Sequence, residues 1–249
     1  METIKKNKTI QGLPEEIIEK LLSYLSVESL KAAALTCKKL ASLTFLGGRF
    51  PNDLPLYERL EINKNIKTLS FPNFVLLGVK EDALKEFLKH VPNVEKLRTT
   101  GMINLHVVSN ALTRLTHLEL YGTSSTLHQI KSQSLQSITI DELKFIPDWE
   151  KFASDNPRMN TMKIEKVPEN FDIVKLLTNM KLQRLELPMI KVDDNVCKTL
   201  RENTQDMISL SIHKASFVNC QENLSEVKCL RFHEKDEKCC FERFCPGLI

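Results

Sequence analysis

The chain has 249 residues, of which 42% are hydrophobic and 27% charged, and it carries a formal net charge of +3 at pH 7. This composition is typical of a folded soluble protein and argues against intrinsic disorder. The charge is too small to favour a nucleic-acid partner, and no apolar run approaches the ~20 residues that span a bilayer. We therefore expect neither nucleic acid nor membrane as a partner.

Residues 1–11 are expected to be a flexible N-terminus, and segment 12–50 is expected to form a small helical unit. Pro14 suits the first position of a helix, where its missing N–H costs nothing. Apolar residues then recur at the spacing of one helical face, namely Ile17, Ile18, Leu21, Leu22 and Leu25. Ser26 can cap a second helix, with Leu30 and Cys37 on its inner side. The pattern predicts two short amphipathic helices.

A connector follows, because Gly47, Gly48, Pro51 and Pro55 lie close together without periodicity. We therefore place a domain boundary near residue 50 and assign 51–249 to a second domain.

One pattern, apolar-x-x-apolar-x-apolar, returns about eight times in this second domain. Its middle positions are Leu69, Leu97, Leu118, Ile138, Met162, Leu185, Leu210 and Leu230, with spacings of 28, 21, 20, 24, 23, 25 and 20 residues. These spacings fall in the 20–29 window of leucine-rich repeats. The pattern predicts parallel strands stacked as a solenoid, and a generic α/β domain would leave the period unexplained.

Short one-faced helices are predicted between the strands. Their ranges are 81–90, 104–115, 149–155, 173–180 and 194–203. The Asn or Cys that usually follows the strand of a leucine-rich repeat is not kept, since five of the eight positions are large and apolar. We therefore expect irregular repeats whose turns are closed by packing and not by an asparagine ladder.

The residues that flank the buried pair on each strand should face the concave surface. The candidate binding residues there are Lys96, Arg98, Glu119, Tyr121, Asp141, Lys163, Glu165, Glu186 and Arg231. A mildly acidic centre flanked by basic residues would suit a partner with a basic segment. An ordinary solvated polar face is the alternative.

Seven cysteines without an apolar secretory leader favour reduced thiols and a cytoplasmic or nuclear location. The C-terminal stretch combines Cys220, Cys229, Cys239, Cys240 and Cys245 with His213 and His233. It has no C-x-x-C pair, so cysteines used as apolar filler are favoured over zinc. Nucleophile elbows, phosphate loops and HExxH motifs are all missing from the sequence, so we expect no catalytic site, no metal and no cofactor.

Residues 12–45 resemble an F-box. The resemblance lies in Leu13-Pro14-x-Glu16, the apolar helix, a Tyr24-Leu25-Ser26 break and a helix that ends in Cys37-Lys38-Lys39. The family commonly has Trp after the basic pair, where this chain has Leu40. With the repeats behind it, the chain resembles the F-box/leucine-rich-repeat family.

The resemblance implies a substrate receptor of a Skp–cullin–F-box ubiquitin ligase, without catalysis of its own. The residues implied to bind a Skp-family adaptor are Leu13, Pro14, Ile17, Ile18, Leu21, Leu22, Leu25 and Leu30. The same residues could instead seal the first repeat as a hydrophobic cap. A ligase-independent scaffold and an enzyme inhibitor built on the repeats are the alternative functions.

Overall fold

The computed structural model describes residues 42–44, 62–71, 80–100, 103–124, 126–203, 206–217 and 230–232. The flexible N-terminus predicted for 1–11, the helices predicted within 12–40 and all eight implied adaptor-binding residues lie outside these ranges. The cysteines of the C-terminal stretch lie outside them as well, although the backbone is described at His213 and at residues 230–232.

Strands and helices alternate through the described chain. The strands are β1 (Ser42–Thr44), β2 (Thr68–Ser70), β3 (Lys96–Thr100), β4 (His117–Ser124), β5 (Ser137–Leu143), β6 (Thr161–Lys166), β7 (Arg184–Val192), β8 (Ser209–Phe217) and β9 (Leu230–Phe232). The helices are α1 (Glu81–Lys89), α2 (Leu105–Ala111), α3 (Trp149–Asp155), α4 (Ile173–Asn179) and α5 (Asp194–Asn203), with a 3₁₀ turn at Leu127–Gln129. They match the five predicted helices, except that α2 ends four residues earlier than expected.

All neighbouring strands are parallel, and their order in the sheet is their order in the chain. The register aligns the middle residue of each repeat with that of the next, from Leu69 and Leu97 to Leu210 and Leu230. Such an open parallel sheet, built one strand per repeat, fits a repeat solenoid. The spacing of the apolar pattern in the sequence is therefore the number of residues between equivalent positions on neighbouring strands of the sheet.

The first strand of the sheet lies inside the segment 12–50 that the sequence assigns to the helical unit. Leu43 on β1 aligns with Leu69 on β2, in the same register that joins the later repeats. The sequence around it, Leu40-x-x-Leu43-x-Phe45, carries the repeat pattern, and the 26-residue step to Leu69 lies within the repeat window. Leu40, which stands where an F-box usually has Trp, is the first apolar position of this additional repeat.

The core lies between the sheet and the helices and is almost entirely aliphatic. Each described repeat contributes strand residues such as Leu118 and Leu120 and helix residues such as Leu176 and Leu177, all of them buried. Four of the five helices begin after an Asn or Asp whose side chain accepts a hydrogen bond from the first turn, namely Asn104, Asp148, Asp172 and Asp193. In these four helices the cap fixes the residue at which the helix begins.

Successive repeats are joined by a ladder of main-chain carbonyls at the start of the strands. The carbonyl of Gln136 accepts hydrogen bonds from the N–H groups of both Asn160 and Thr161, and the carbonyl of Asn160 accepts in turn from Gln183 and Arg184. The same double acceptance occurs at Lys67, Glu95, Thr116 and Gln183. This carbonyl ladder satisfies main-chain groups at the start of each strand without using any side chain.

Asn156 supplies one side-chain link between repeats. It is 1% exposed, its Oδ1 accepts from Ser132 N at 3.0 Å, and its Nδ2 donates to Ile130 O at 3.1 Å and to Phe152 O at 2.9 Å. The amide thereby ties the end of α3 to the loop before β5. This asparagine lies after a helix and not after a strand, where the repeat consensus would have placed it.

The sheet divides between β6 and β7. Their pairing covers only Thr161–Lys163 and Arg184–Glu186. Beyond that point β6 continues with β5 as far as Lys166, and β7 continues with β8 as far as Val192. The apolar period of the sequence does not predict this division.

Two further properties concern the expected environment of the chain. Within the described ranges, no helix combines the length and apolarity needed to cross a bilayer.

Cys197, which is fully buried on α5, is disulfide-bonded, and every other cysteine lies outside the described residues. This bond departs from the expectation of reduced thiols at Cys197.

Candidate functional site

The candidate site is the face of the sheet opposite the five described helices, called the concave face here. The strands place eight of the nine predicted residues on it with described side chains: Lys96 and Arg98 on β3, Glu119 and Tyr121 on β4, Asp141 on β5, Lys163 and Glu165 on β6, and Glu186 on β7. Arg231 lies on β9, where only the backbone is described. Side chains on this face alternate with the buried row, as strand geometry requires.

A cluster of opposite charges joins β3 to β4. Glu119 Oε1 lies 2.7 Å from Lys96 Nζ, and its Oε2 lies 2.8 Å from Arg98 Nε. The Tyr121 hydroxyl donates to the same Oε2 at 3.1 Å. Burial raises the pKa of Glu119, but the hydrogen bond from Lys96 and the charge of Arg98 outweigh it, so this pKa lies below its usual value. Glu119 is thus held ionised by three neighbours.

A second cluster joins β6 to β7. Lys163 Nζ lies 3.0 Å from Glu186 Oε1 and 3.5 Å from Glu165 Oε1. The hydrogen bond to Glu186 raises the pKa of Lys163 against the opposing effect of burial, and the charges of Glu186 and Glu165 add to it. Two carboxylates therefore share one ammonium group here.

Strand β5 separates the two clusters with small polar residues, Ser137 and Thr139, followed by Asp141. Asp141 Oδ2 accepts a hydrogen bond from Gly122 N at 2.9 Å. Gly122 has a φ of 67°, and the register between β4 and β5 shifts between Leu120 and Thr123. A residue with a side chain is strained at such a φ, so glycine permits the bulge that brings its N–H to Asp141.

These contacts give the face an alternating charge pattern. Arg98, Glu119, Lys163 and Glu186 lie along one row across the strands, with Thr139 at its centre. Most of these charges have partners within the face, so it presents paired charges to a ligand and not a uniform acidic field. The sequence indicates these residues but not their pairing, because the pairing depends on which rotamers reach across strands.

Tyr121 adds an apolar element to this polar face. It is 39% exposed, which makes it one of the exposed large hydrophobic residues of the described chain. Burial, followed by the charge of Glu119 and the hydrogen bond to it, raises the pKa of Tyr121. An amphipathic ring at this position can pack on a partner while its hydroxyl remains bonded to Glu119.

A separate cavity of about 470 Å³ lies on the helical side, between the start of α3 and α4. Ile146, Pro147, Trp149, Asn170, Asp172 and Lys175 are among its lining residues. Asp172 already caps α4 through its hydrogen bond with Lys175 N at 3.2 Å. No group of three His, Cys, Asp or Glu side chains able to hold a metal ion occurs among the residues with described positions.

Comparison with known protein families finds a match near the start of the chain. Residues 10–47 match the family model described as F-box-like. The matched range contains the segment that resembles an F-box in the sequence, and it also contains β1 of the sheet. A search of curated proteins finds no match to the chain.

Proposed function

We propose that the chain is a non-catalytic substrate receptor of a Skp–cullin–F-box ubiquitin ligase. The observation that carries the proposal is the F-box-like match at residues 10–47, followed directly by a parallel-sheet solenoid with an open polar face. F-box domains generally bind Skp-type adaptors. A solenoid face of this kind is a surface on which repeat proteins bind other proteins.

In this proposal the two parts have different partners. The apolar residues of the segment 12–45, among them Leu21 and Leu25, dock on a Skp-family adaptor that connects the chain to a cullin. The concave face binds a target protein. The chain supplies proximity between the target and a ubiquitin-loaded conjugating enzyme, and it carries no reacting group of its own. The target would then be degraded, in the cytoplasm or the nucleus.

The paired charges of the concave face support protein binding as its role. Charged groups held in fixed positions by neighbours give specificity, because a partner must match their order along the strands. The exposed ring of Tyr121 lies beside Glu119 and adds contact area of the kind enriched in protein interfaces. Glu119 and its neighbours therefore suit the recognition of a protein surface.

Affinity purification of the full-length chain from cells tests the adaptor role. Recovery of both a Skp adaptor and a cullin is expected, together with loss of both on Leu21→Asp, which places a charge on the apolar face of the predicted helix. Lys20→Asp, which changes a charge on the same helix outside the apolar set, is the matched control and should retain both.

The alternatives give different results. Recovery of a Skp adaptor without a cullin would favour a ligase-independent scaffold. Recovery of neither, with a stoichiometric enzyme in their place, would favour an inhibitor. If wild type and Leu21→Asp recovered the same partners, the F-box segment would have no docking role.

A further inference from the structure

Strand β5 forms the floor of a groove on the concave face, called the β5 groove here. The floor consists of Ser137, Thr139 and Asp141, each partly exposed. The strands on either side present longer side chains, with Glu119 on β4 and Lys163 on β6 beside Thr139. Because neighbouring strands lie about 4.8 Å apart, the main chains of β4 and β6 are about 10 Å apart. A gap of two strand spacings accommodates one extended chain.

Ion pairs draw both walls of the β5 groove away from its floor. Glu119 reaches toward β3, where Lys96 and Arg98 lie 2.7 and 2.8 Å from its carboxylate. Lys163 reaches toward β7, where Glu186 lies 3.0 Å from its ammonium group. Glu186 takes part in a further interaction as well. These wall charges are therefore engaged within the face, and the floor between them remains open.

The floor offers two hydroxyl groups to a ligand. The side chains of Ser137 and Thr139 make no hydrogen bond to any residue in the described ranges. They are two residues apart on the strand, so about 6.6 Å separates them. An extended chain repeats its main-chain groups on one side at the same distance, because it has the same rise per residue. Both hydroxyls can therefore bond the main chain of a single extended segment.

Asp141 determines the charge that this segment should carry. It is the charged member of the floor, and no ion pair includes it within the described ranges. Its Oδ2 accepts from Gly122 N at 2.9 Å, which leaves Oδ1 for a ligand. Glu165, opposite on β6, has a side chain that is 50% exposed, and the exposed ring of Tyr121 on β4 can pack against a cation. A basic side chain is the complementary group at this end of the groove.

We propose that the β5 groove binds an extended segment of the target protein, with a lysine or arginine of that segment at Asp141. The segment lies along β5, over the face of the sheet, and its main chain bonds the hydroxyls of Ser137 and Thr139. Its basic side chain pairs with Asp141 beside the ring of Tyr121. The inference rests on the proposed function, because it names the chemistry that the concave face recognises in a target.

Binding is tested with a defined probe, a library of random 12-residue peptides displayed on phage and selected on the immobilised full-length chain. The best synthetic peptide should bind Thr139→Phe at least tenfold more weakly than wild type, because the ring fills the floor of the groove. Thr68→Phe, which places the same ring on the same face at β2, is the matched control and should bind as wild type does. Urea unfolding of both variants shows whether either change affects folding.

The charge of the segment is tested at Asp141. Peptides selected on wild type should be enriched in Lys and Arg, and Asp141→Asn, which retains an acceptor for the N–H of Gly122, should lose this enrichment. Asp82→Asn, on α1, is the matched control and should preserve it. Replacing the basic residue of the best peptide by Glu should abolish binding to wild type and restore it on Asp141→Lys. A merely structural role of Asp141 would not produce this exchange of charges.

The contrary outcomes are distinct from failure of the proposed function. Peptides that bind wild type and Thr139→Phe equally would overturn the groove as the binding site. Enrichment in Lys and Arg that persists on Asp141→Asn would overturn the role of that carboxylate, and selection of no peptide above background would overturn the proposal as a whole. In each case, recovery of a Skp adaptor and a cullin with the full-length chain would leave the proposed function standing. Failure to recover them would remove the proposed function, whatever the peptides show.

Discussion

Glu119 on β4 lies 2.7 Å from Lys96 on β3, so the ion pair bridges two repeats across the open face of the sheet. Its partners lower the pKa of Glu119 below the usual value of 4.5. A carboxyl group with a depressed folded-state pKa stabilises the fold above its unfolded pKa, and this contribution is lost as the pH falls through the folded value. The pair should therefore be fully effective at neutral pH.

Glu119→Gln should lower the free energy of unfolding at pH 7 by about 1–2 kcal/mol, because Lys96 and Arg98 lose their shared anion. The difference between variant and wild type should shrink as the pH falls below about 4.5. Urea unfolding at a series of pH values checks this. Glu150→Gln, on α3, serves as control, and a difference independent of pH would contradict the assignment.

Asn156 should be among the most sensitive polar residues of the described chain. Asn156→Leu leaves the carbonyl of Ile130 without its buried donor, so we expect a loss of about 2–4 kcal/mol in unfolding free energy. Asn156→Asp should cost at least as much, since a carboxylate would face the carbonyls of Ile130 and Phe152. Asn170→Ala, at an exposed position, is the control, and equal stability of Asn156→Leu and the control would refute the link.

Leu43 should behave as a core residue of the solenoid, because its register equivalent Leu69 is fully buried. Leu43→Asp is expected to lower the unfolding free energy of the whole chain by about 3 kcal/mol or more. Ser42→Asp, on the alternate face of the same strand, should have little effect. Thermal unfolding of both variants provides the comparison, and equal midpoints would show that β1 does not contribute to the core.

Trp149, the single tryptophan of the chain, should tolerate replacement by Phe unusually well. The residue is 3% exposed, and its buried Nε1 has no hydrogen-bond partner among the described residues, an arrangement that costs about 1–3 kcal/mol. Trp149→Phe removes this cost while preserving a ring beside Phe152 and Phe171. We expect an unfolding free energy within about 1 kcal/mol of wild type, and a loss above about 3 kcal/mol would reveal a partner for the indole.

The architecture followed from the sequence because the apolar period is set by the core. Residues such as Leu97 and Leu185 must be buried once per repeat, and this constraint is visible without coordinates. Helix starts were also predictable, since an Asn or Asp before an apolar segment caps the first turn, as Asp148 and Asp172 do. The early end of α2 at Ala111 has no comparable signal in the residues that follow it.

Three features required the register to be known. The repeat at Leu43 was hidden because the F-box resemblance covers the same residues. The pairing of Lys163 with Glu186 depends on strands 23 residues apart in the chain being adjacent, with their side chains turned toward each other. The end of the pairing between β6 and β7 at Glu186 depends on which neighbour the nitrogen of Pro188 faces, because proline has no N–H to donate to β6.

The carbonyl ladder has a consequence for how such a chain can change over time. Every rung between Lys67 and Gln183 uses main-chain atoms, so substitutions in the turns leave the rungs intact. A repeat can therefore acquire new turn residues, or alter its length by a few residues, without losing its attachment to the next one. The scaffold permits the exposed residues of one strand to diversify independently of the others, which is the freedom that a protein needs in order to acquire new targets.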